Sequence, residues 1–175
     1  MASLTMANCR NGLYTFLNTT HRATVEGAGG LLGLVHKQRR RLQNETDLRT
    51  LLGGDRPRGW FIHPAEGSTT VTERQPGHRG IGVQSTTSQD MTAMQWQIDG
   101  YLAVSDKDDS EQEATDLAWG LVEALNSYGV IPAVTGAILQ LPADIEQFKY
   151  AMLGGTLLCH YVVIGVGWHG QIRRG

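Results

Sequence analysis

The residues that could do chemistry in this chain are the histidines His21, His36, His63, His78, His160 and His169, the cysteines Cys9 and Cys159, and three short biased runs. The zinc-protease motif His-Glu-x-x-His sets two histidine ligands one helical turn apart; these histidines are scattered, with no such motif and no i, i+4 pair. Cys159 and His160 are neighbours, so on a strand they point to opposite faces and do not form a nucleophile–base pair; both read as core residues. Asp106, Asp108, Asp109, Glu111 and Glu113 are dense enough for a calcium loop. The turn glycine of an EF-hand is missing, however, and the acids run into a helix N-terminus, where the helix dipole favours them. Gly77-His78-Arg79-Gly80-Ile81-Gly82 has no preceding apolar strand, following helix or Gly-Lys-Ser/Thr ending, so a hairpin turn explains it better than a phosphate cradle. The expectation is a protein without an active site, metal or cofactor.

Two features point instead to contacts. His36-Lys37-Gln38-Arg39-Arg40-Arg41 is the one dense basic run. It is either a solvated helix face or an electrostatic contact with an acidic neighbour or passing nucleic acid. No aromatic residue is interleaved with it, which argues against single-strand stacking. Trp119 is the second. At 100° per residue it lies about 130° from the centre of its helix's apolar stripe, beside Asp116 and Glu123. Such a Trp is covered either by a loop of its own chain or by a partner.

The elements that position these residues are clearest over residues 94–129. Met94, Trp96, Ile98, Leu102 and Val104 share one face of a strand, and Gln95, Gln97, Asp99 and Tyr101 take the other. Ala114, Leu117, Ala118, Leu121, Val122 and Leu125 then form one helical stripe. Ser110 and Glu113 have capping-box spacing, and Asn126 and Gly129 supply the stop.

Upstream, residues 1–30 read as a flexible arm with Gly27, Gly29 and Gly30 in its hinge. The spacing of Leu31, Leu34, Val35 and Leu42 predicts a helix over 31–43, with Lys37 and Arg40 facing away and Arg39 and Arg41 on the flanks. A second short helix starts at Thr46 or Asp47 and uses Leu48, Leu51 and Leu52. Trp60-Phe61-Ile62-His63 is a strand stopped by Pro64. Residues 67–90 form a polar hairpin that turns at Pro76-Gly77 and projects from the body. Residues 133–141 read as a strand, and Pro142 opens a polar connection. Residues 157–168 read as a strand apolar on both faces: Leu158, Val162, Ile164, Val166 and Trp168 on one, Leu157, Cys159, Tyr161 and Val163 on the other. Such a strand is central in its sheet or covered by another subunit. No repeat of solenoid period occurs.

Composition bounds the rest. The 175 residues suit one domain, 31–175, plus the arm, and 41% hydrophobic content is enough for a core. A net charge of −2 argues against a disordered chain and a dedicated nucleic-acid binder. Two cysteines in unlike settings argue against a disulfide framework and suit a reducing cytosol. No signal-peptide h-region or membrane span is expected, since the longest apolar run, 157–166, is short and holds His160. The fold class expected is α+β, a small mixed or antiparallel sheet packed against two main helices.

Taken in order, the chain has a helix ending in Asp47-Leu48-Arg49-Thr50-Leu51-Leu52, then strands and the polar hairpin. The strand Trp96-Gln97-Ile98-Asp99-Gly100-Tyr101-Leu102-Ala103-Val104 follows, then the helix Glu113-Ala114-Thr115-Asp116-Leu117-Ala118 and the closing Val162-Val163-Ile164-Gly165-Val166. This order resembles the tail terminator (tail completion) proteins of long-tailed bacteriophages, over residues 31–170 and through patterning, with no diagnostic motif. The resemblance implies a small subunit similar to tail-tube proteins. It forms a hexameric ring that caps the finished tube, stops its growth and offers a surface for head joining. It implies a location in the virion tail or neck after assembly in the host cytoplasm. The implied partners are copies of itself, the tail tube protein and a head–tail connector or neck protein, with genomic DNA passing through the lumen and no membrane. The arm and the hairpin exceed the family's minimal pattern.

A closed ring would also cover what a lone subunit leaves exposed. The candidate interface residues are Trp119, Lys37, Arg39, Arg40, Arg41, Pro76, Gly77, Tyr161 and Val163, with the acids of 106–113 on an adjacent copy as the natural partner of the basic run. Competing readings are a head–tail connector or neck adaptor of the same virion, a small enzyme or nucleotide-binding domain, and a small DNA-binding accessory protein using Arg39–Arg41.

Overall fold

A computed structural model describes residues 4–21, 33–38, 45–52, 58–65, 71–75, 89–103, 110–153 and 157–172. Over these the fold is α+β. The strands are β1 (Leu34–His36), β2 (Arg58–Pro64), β3 (Val71–Gln75), β4 (Gln89–Leu102), β5 (Ala137–Leu153) and β6 (Leu157–Ile172). They form one six-stranded sheet in the order β1-β2-β4-β6-β5, with β3 also paired to β4. Only β1–β2 is parallel. β3 lies against Gln89–Ala93 of β4, on the edge that β2 occupies further along. The helices are α1 (Met6–Thr15), α2 (Glu45–Leu52) and α3 (Ser110–Asn126).

Residues paired across strands point to the same face, so the register writes out the core. One row is Trp60, Gly100, Val162 and Phe148; the next is Ile62, Ile98, Ile164 and Ile145. Further along, Trp96 pairs Val166, and Met94 pairs Trp168 and through it Gln140. Trp60, Trp96 and Trp168 are wholly buried on this face. Glycine at 100 makes room for Trp60, because a Cβ there would come within 2.4 Å of the indole's Cζ3.

Two helices lie side by side over this face. α3 packs on β5 and β6 through Ala114, Ala118, Leu121, Val122 and Leu125. α1 packs towards β2 and β4, with Cys9 Sγ 3.7 Å from Met94 Sδ and Arg10 over the Trp96 ring. Gly12 lets α1 approach the turn before β5, where a Cβ would come within 2.6 Å of the Ala133 carbonyl oxygen. The second face is covered in part by α2, whose Leu51 and Leu52 pack with Phe61, Tyr101 and Cys159. His36 ties β1 to α2: its ring stacks on Phe61, and Nε2 donates to the Leu51 carbonyl at 2.7 Å.

Several elements differ from what the residue pattern predicts. Residues 4–21 are not a flexible arm. Thr5 caps α1 by accepting from the Asn8 N–H, the coil continues π-helically over Phe16–His21, and Leu4, Cys9, Leu13, Phe16 and Leu17 enter the core. Cys9, Gly12, Leu13, Phe16 and Leu17 do make an i, i+3, i+4, i+7, i+8 stripe, but two of its five members are small and read as polar. The hinge glycines lie outside the described residues.

The helix over 31–43 is likewise replaced, where described, by β1 and a bend at Lys37 and Gln38. Gly33 takes φ +71°, which breaks a helix, and β-branched Val35 is buried by parallel pairing with Trp60. The second main helix of the fold is therefore α1. The two arms of the hairpin pair as β3 and β4, with Gln75 opposite Gln89; the turn expected at Pro76-Gly77 lies outside the described residues. Residues 76–88 lie outside the described set.

Pro142 does not end its strand. β5 runs through it with register shifts around Leu141, Asp144 and Gln147, as proline requires in an edge strand. The two-faced strand is β6, and β4 and β5 flank it. The helix expected from Thr46, the strand at Trp60, the 94–102 alternation and the long helix stand as α2, β2, β4 and α3.

The first prediction follows from α1. Phe16→Ala should cost about 3–5 kcal/mol in urea unfolding, as for a core aromatic. A loss below about 0.5 kcal/mol would return residues 4–21 to the status of an arm.

Candidate functional site

α3 separates two chemistries. Its inner stripe is buried, while Glu111, Gln112, Asp116, Trp119, Gly120 and Glu123 are exposed. Trp119 is 51% exposed, against 0% for Trp60, Trp96 and Trp168. No loop of the described chain covers it. Local bonds tidy the face around it: Gln112 Nε2 donates to Asp116 Oδ1 at 2.7 Å, and Thr115 Oγ1 to the Glu111 carbonyl at 2.7 Å. The helix carries Glu111, Glu113, Asp116 and Glu123 and contains no Lys, Arg or His. Glu113 is spent within the chain, since Arg58 Nη2 of β2 donates to its Oε1 at 2.6 Å. That pair also anchors the start of α3, where Ser110 Oγ lies 3.2 Å from His160 Nε2.

The basic side lies at the other end of the sheet. Lys37 is exposed just after β1, donates to Asn11 Oδ1 at 3.1 Å and sits 4.6 Å over the Tyr14 ring. Both contacts are with neutral groups of α1, so neither neutralises the ammonium. Arg39, Arg40, Arg41, Pro76 and Gly77 lie outside the described residues. Tyr161 is half-buried and packs on Tyr101 at 5.0 Å. Val163, expected at an interface, is only 4% exposed, so its side chain is packed inside the subunit and not open to a partner. Its row on the second face, with Phe61 and Asp99, is already buried within the subunit.

Other polar groups bear on chemistry. His63 Nε2 lies 3.1 Å from Asp99 Oδ2, both buried on the second face, and His63 Nδ1 is 2.9 Å from the Pro64 carbonyl. The pairing was hidden in the sequence because Asp99 falls on the polar side of β4's alternation. Cys159 cannot serve this histidine: it is six residues along β6 from Gly165, the position level with His63, or about 20 Å. Burial pushes the Cys159 thiol up to about 11. Burial also pushes Cys9 up to about 12, with the Trp96 indole pulling the other way. Neither cysteine is a thiolate at neutral pH. A depression of about 120 Å³ at the β5 bulge, lined by Gln95, Leu141, Asp144, Glu146 and Gly165, is too small for most organic ligands. Among the described residues no group of three or more His, Cys, Asp and Glu could hold a metal, and no helix is long and apolar enough to cross a membrane.

His160 supplies a pH test of the α3 anchor. Burial holds it below its ordinary value against the pull of Glu111, and its Nδ1 has no hydrogen-bond partner. The neutral ring is thus the folded form, whereas the unfolded ring titrates near its usual value of about 6.5. Its contribution is complete above that value and is lost as pH falls below it, at up to about 1.4 kcal/mol per unit. Thermal melts at pH 7, 6 and 5 should lose stability more steeply for the wild type than for His160→Gln. Parallel curves would mean that His160 titrates alike in both states.

No protein-family model matches the chain, and no curated protein matches it in sequence.

Proposed function

We propose that this chain is a ring-forming structural subunit of a virion. It caps the tail tube of a long-tailed bacteriophage, ends tube polymerisation and provides the head-joining surface. The observation that carries the reading is Trp119, half exposed on an acidic helix face in a molecule whose other three tryptophans are wholly buried. A large exposed aromatic ringed by polar residues is a contact residue waiting for a partner. The α+β architecture and the element order α2, β2, β3–β4, α3, β5–β6 also support it.

β5 adds to the case. Among the described residues its 17-residue length pairs only with β6, leaving one edge open. The bulges, Pro142 and exposed Lys149 are devices that keep such an edge from indiscriminate strand pairing, so lateral contacts fall to side chains. On this reading the chain has no catalytic role, and its partners are copies of itself, the tube and the connector. Electron micrographs of the purified protein mixed with tail tubes should place rings at tube ends. Rings found only on head connectors would assign it to the neck.

Trp119→Ala separates contact from core. Folding stability should change by no more than about 0.5 kcal/mol, as at an exposed site. Self-assembly measured by sedimentation should fall sharply. Equal losses of stability and assembly would make Trp119 an ordinary packing residue.

A further inference from the structure

Resting on the ring reading above, we propose that the flank of α3 over the β5 edge, with Trp119 and Tyr150, takes the β1 edge of the next copy, with Leu34 and Lys37. The position of Trp119 carries the first half. Trp119 and Asn126 are seven residues apart, so their side chains leave α3 within about 20° of each other. Asn126 exchanges two hydrogen bonds with the backbone of Ala143 in β5. Glu113 leaves the helix about 120° round from Trp119 and reaches Arg58 of β2. The exposed indole therefore stands on the flank of α3 that faces away from β2, over the outermost strand. Tyr150 pairs with His160, which is level with Leu102, so it lies on the same side of the sheet as α3, and it is 74% exposed. Ser110 meets His160 at that level, and Trp119 is nine residues on, about 13 Å along the axis. Half-buried Phe148 and Ile145 follow Tyr150 on the same face, so the edge carries one apolar strip.

The second half comes from the opposite edge and from charge. Among the described residues β1 pairs only with β2, and Leu34 is 43% exposed on it. Charge divides along the same line. α3 and β5 hold Glu111, Glu113, Asp116, Glu123, Asp144 and Glu146 against the one cation Lys149. Of these only Glu113 is spent on a described cation, Arg58. Residues 4–21 and 33–38, which carry α1 and β1, hold Arg10 and Lys37 and no carboxylate. Exposed Lys37 donates to Asn11 Oδ1 and lies over the Tyr14 ring, so its ammonium is held at the β1 end with its charge intact. An apolar strip among carboxylates at one edge therefore complements an apolar residue and a fixed cation at the other. The two edges are four strand spacings apart, about 19 Å, and are not paired with each other. Contact between them thus joins separate copies head-to-tail, and its repetition closes a ring.

Edge-blocked variants test this. One carries Trp119→Ala and Tyr150→Ser; the other carries Leu34→Ser and Lys37→Glu. All four side chains are exposed, and circular dichroism melts check that both variants fold. Assembly is read by sedimentation velocity over a concentration series, with and without tail tubes. Each variant alone should need at least about tenfold more protein than the wild type to assemble. An equimolar mixture should stop at a heterodimer of twice the subunit mass, because only the intact strip of one variant and the intact β1 edge of the other can join. Either variant assembling unimpaired would overturn this contact and leave the ring reading standing. So would a mixture that stays monomeric where the wild type assembles, or one that restores full assembly. A wild type that stays monomeric even on tubes would overturn both.

Discussion

The antiparallel register between β4 and β6 is the constraint from which the other features follow. It runs unbroken from Asp90↔Ile172 to Leu102↔His160. Because side chains alternate, a slip of one residue would turn Trp96 and Ile98 outward and bring Gln95 and Gln97 in. The same ladder sets Trp168 beside Met94 under α1 and α3, and opens the gap at Gly100 that the Trp60 ring fills. Three tryptophans on one face need this agreement, since each has a shape that few other placements accept. Without it neither long helix has a surface to rest on.

Polar contacts then set where α3 sits on that surface. Arg58 is nearly buried, and its guanidinium holds Glu113; His160, also buried, meets Ser110. At the far end, the Gln140 side-chain amide donates to the Leu125 carbonyl, and Asn126 exchanges two hydrogen bonds with the backbone of Ala143. Both ends of the helix are thereby tied to the sheet, and the Gln140 bond satisfies a carbonyl that the helix C-terminus leaves open. A helix pinned at both ends cannot roll to bury Trp119. The place of the indole off the buried stripe leaves it exposed, and the anchoring holds the helix in that orientation.

This division of labour gives the assembly reading its physical content. The interior meets the subunit's needs with apolar burial and a few satisfied polar groups. Among the described residues the outer surfaces keep unlike charges apart, the carboxylates on α3 and exposed Lys37 after β1, with an open strand edge beside the acidic helix. Segregation of charge has little value for stability, because exposed pairs contribute little. It has value for choosing a partner and an orientation.

The elements with strong, unbroken periodicity were legible from the residue order. The β4 alternation and the α3 stripe each carry enough apolar residues to be read in one way, and the place of Trp119 off the stripe followed from the same helical geometry. Elements whose local signal is weak or shared took their form from packing against the rest of the chain. Cys9, Gly12 and Leu13 look like a sparse arm until the turn at Ala133 and the sulfur of Met94 give them a surface. Leu34 and Val35 fit a helix by spacing, yet they belong to a strand because β2 offers a parallel edge and Gly33 takes a positive φ. Pro142 reads as a break, but an edge strand can bulge around it. The burial of Val163 and the meeting of His63 with Asp99 also required the register, since residues far apart in the chain become neighbours only when strands pair. Local pattern measures what a segment prefers alone; burial, which is the larger energy, depends on what the rest of the chain brings to it.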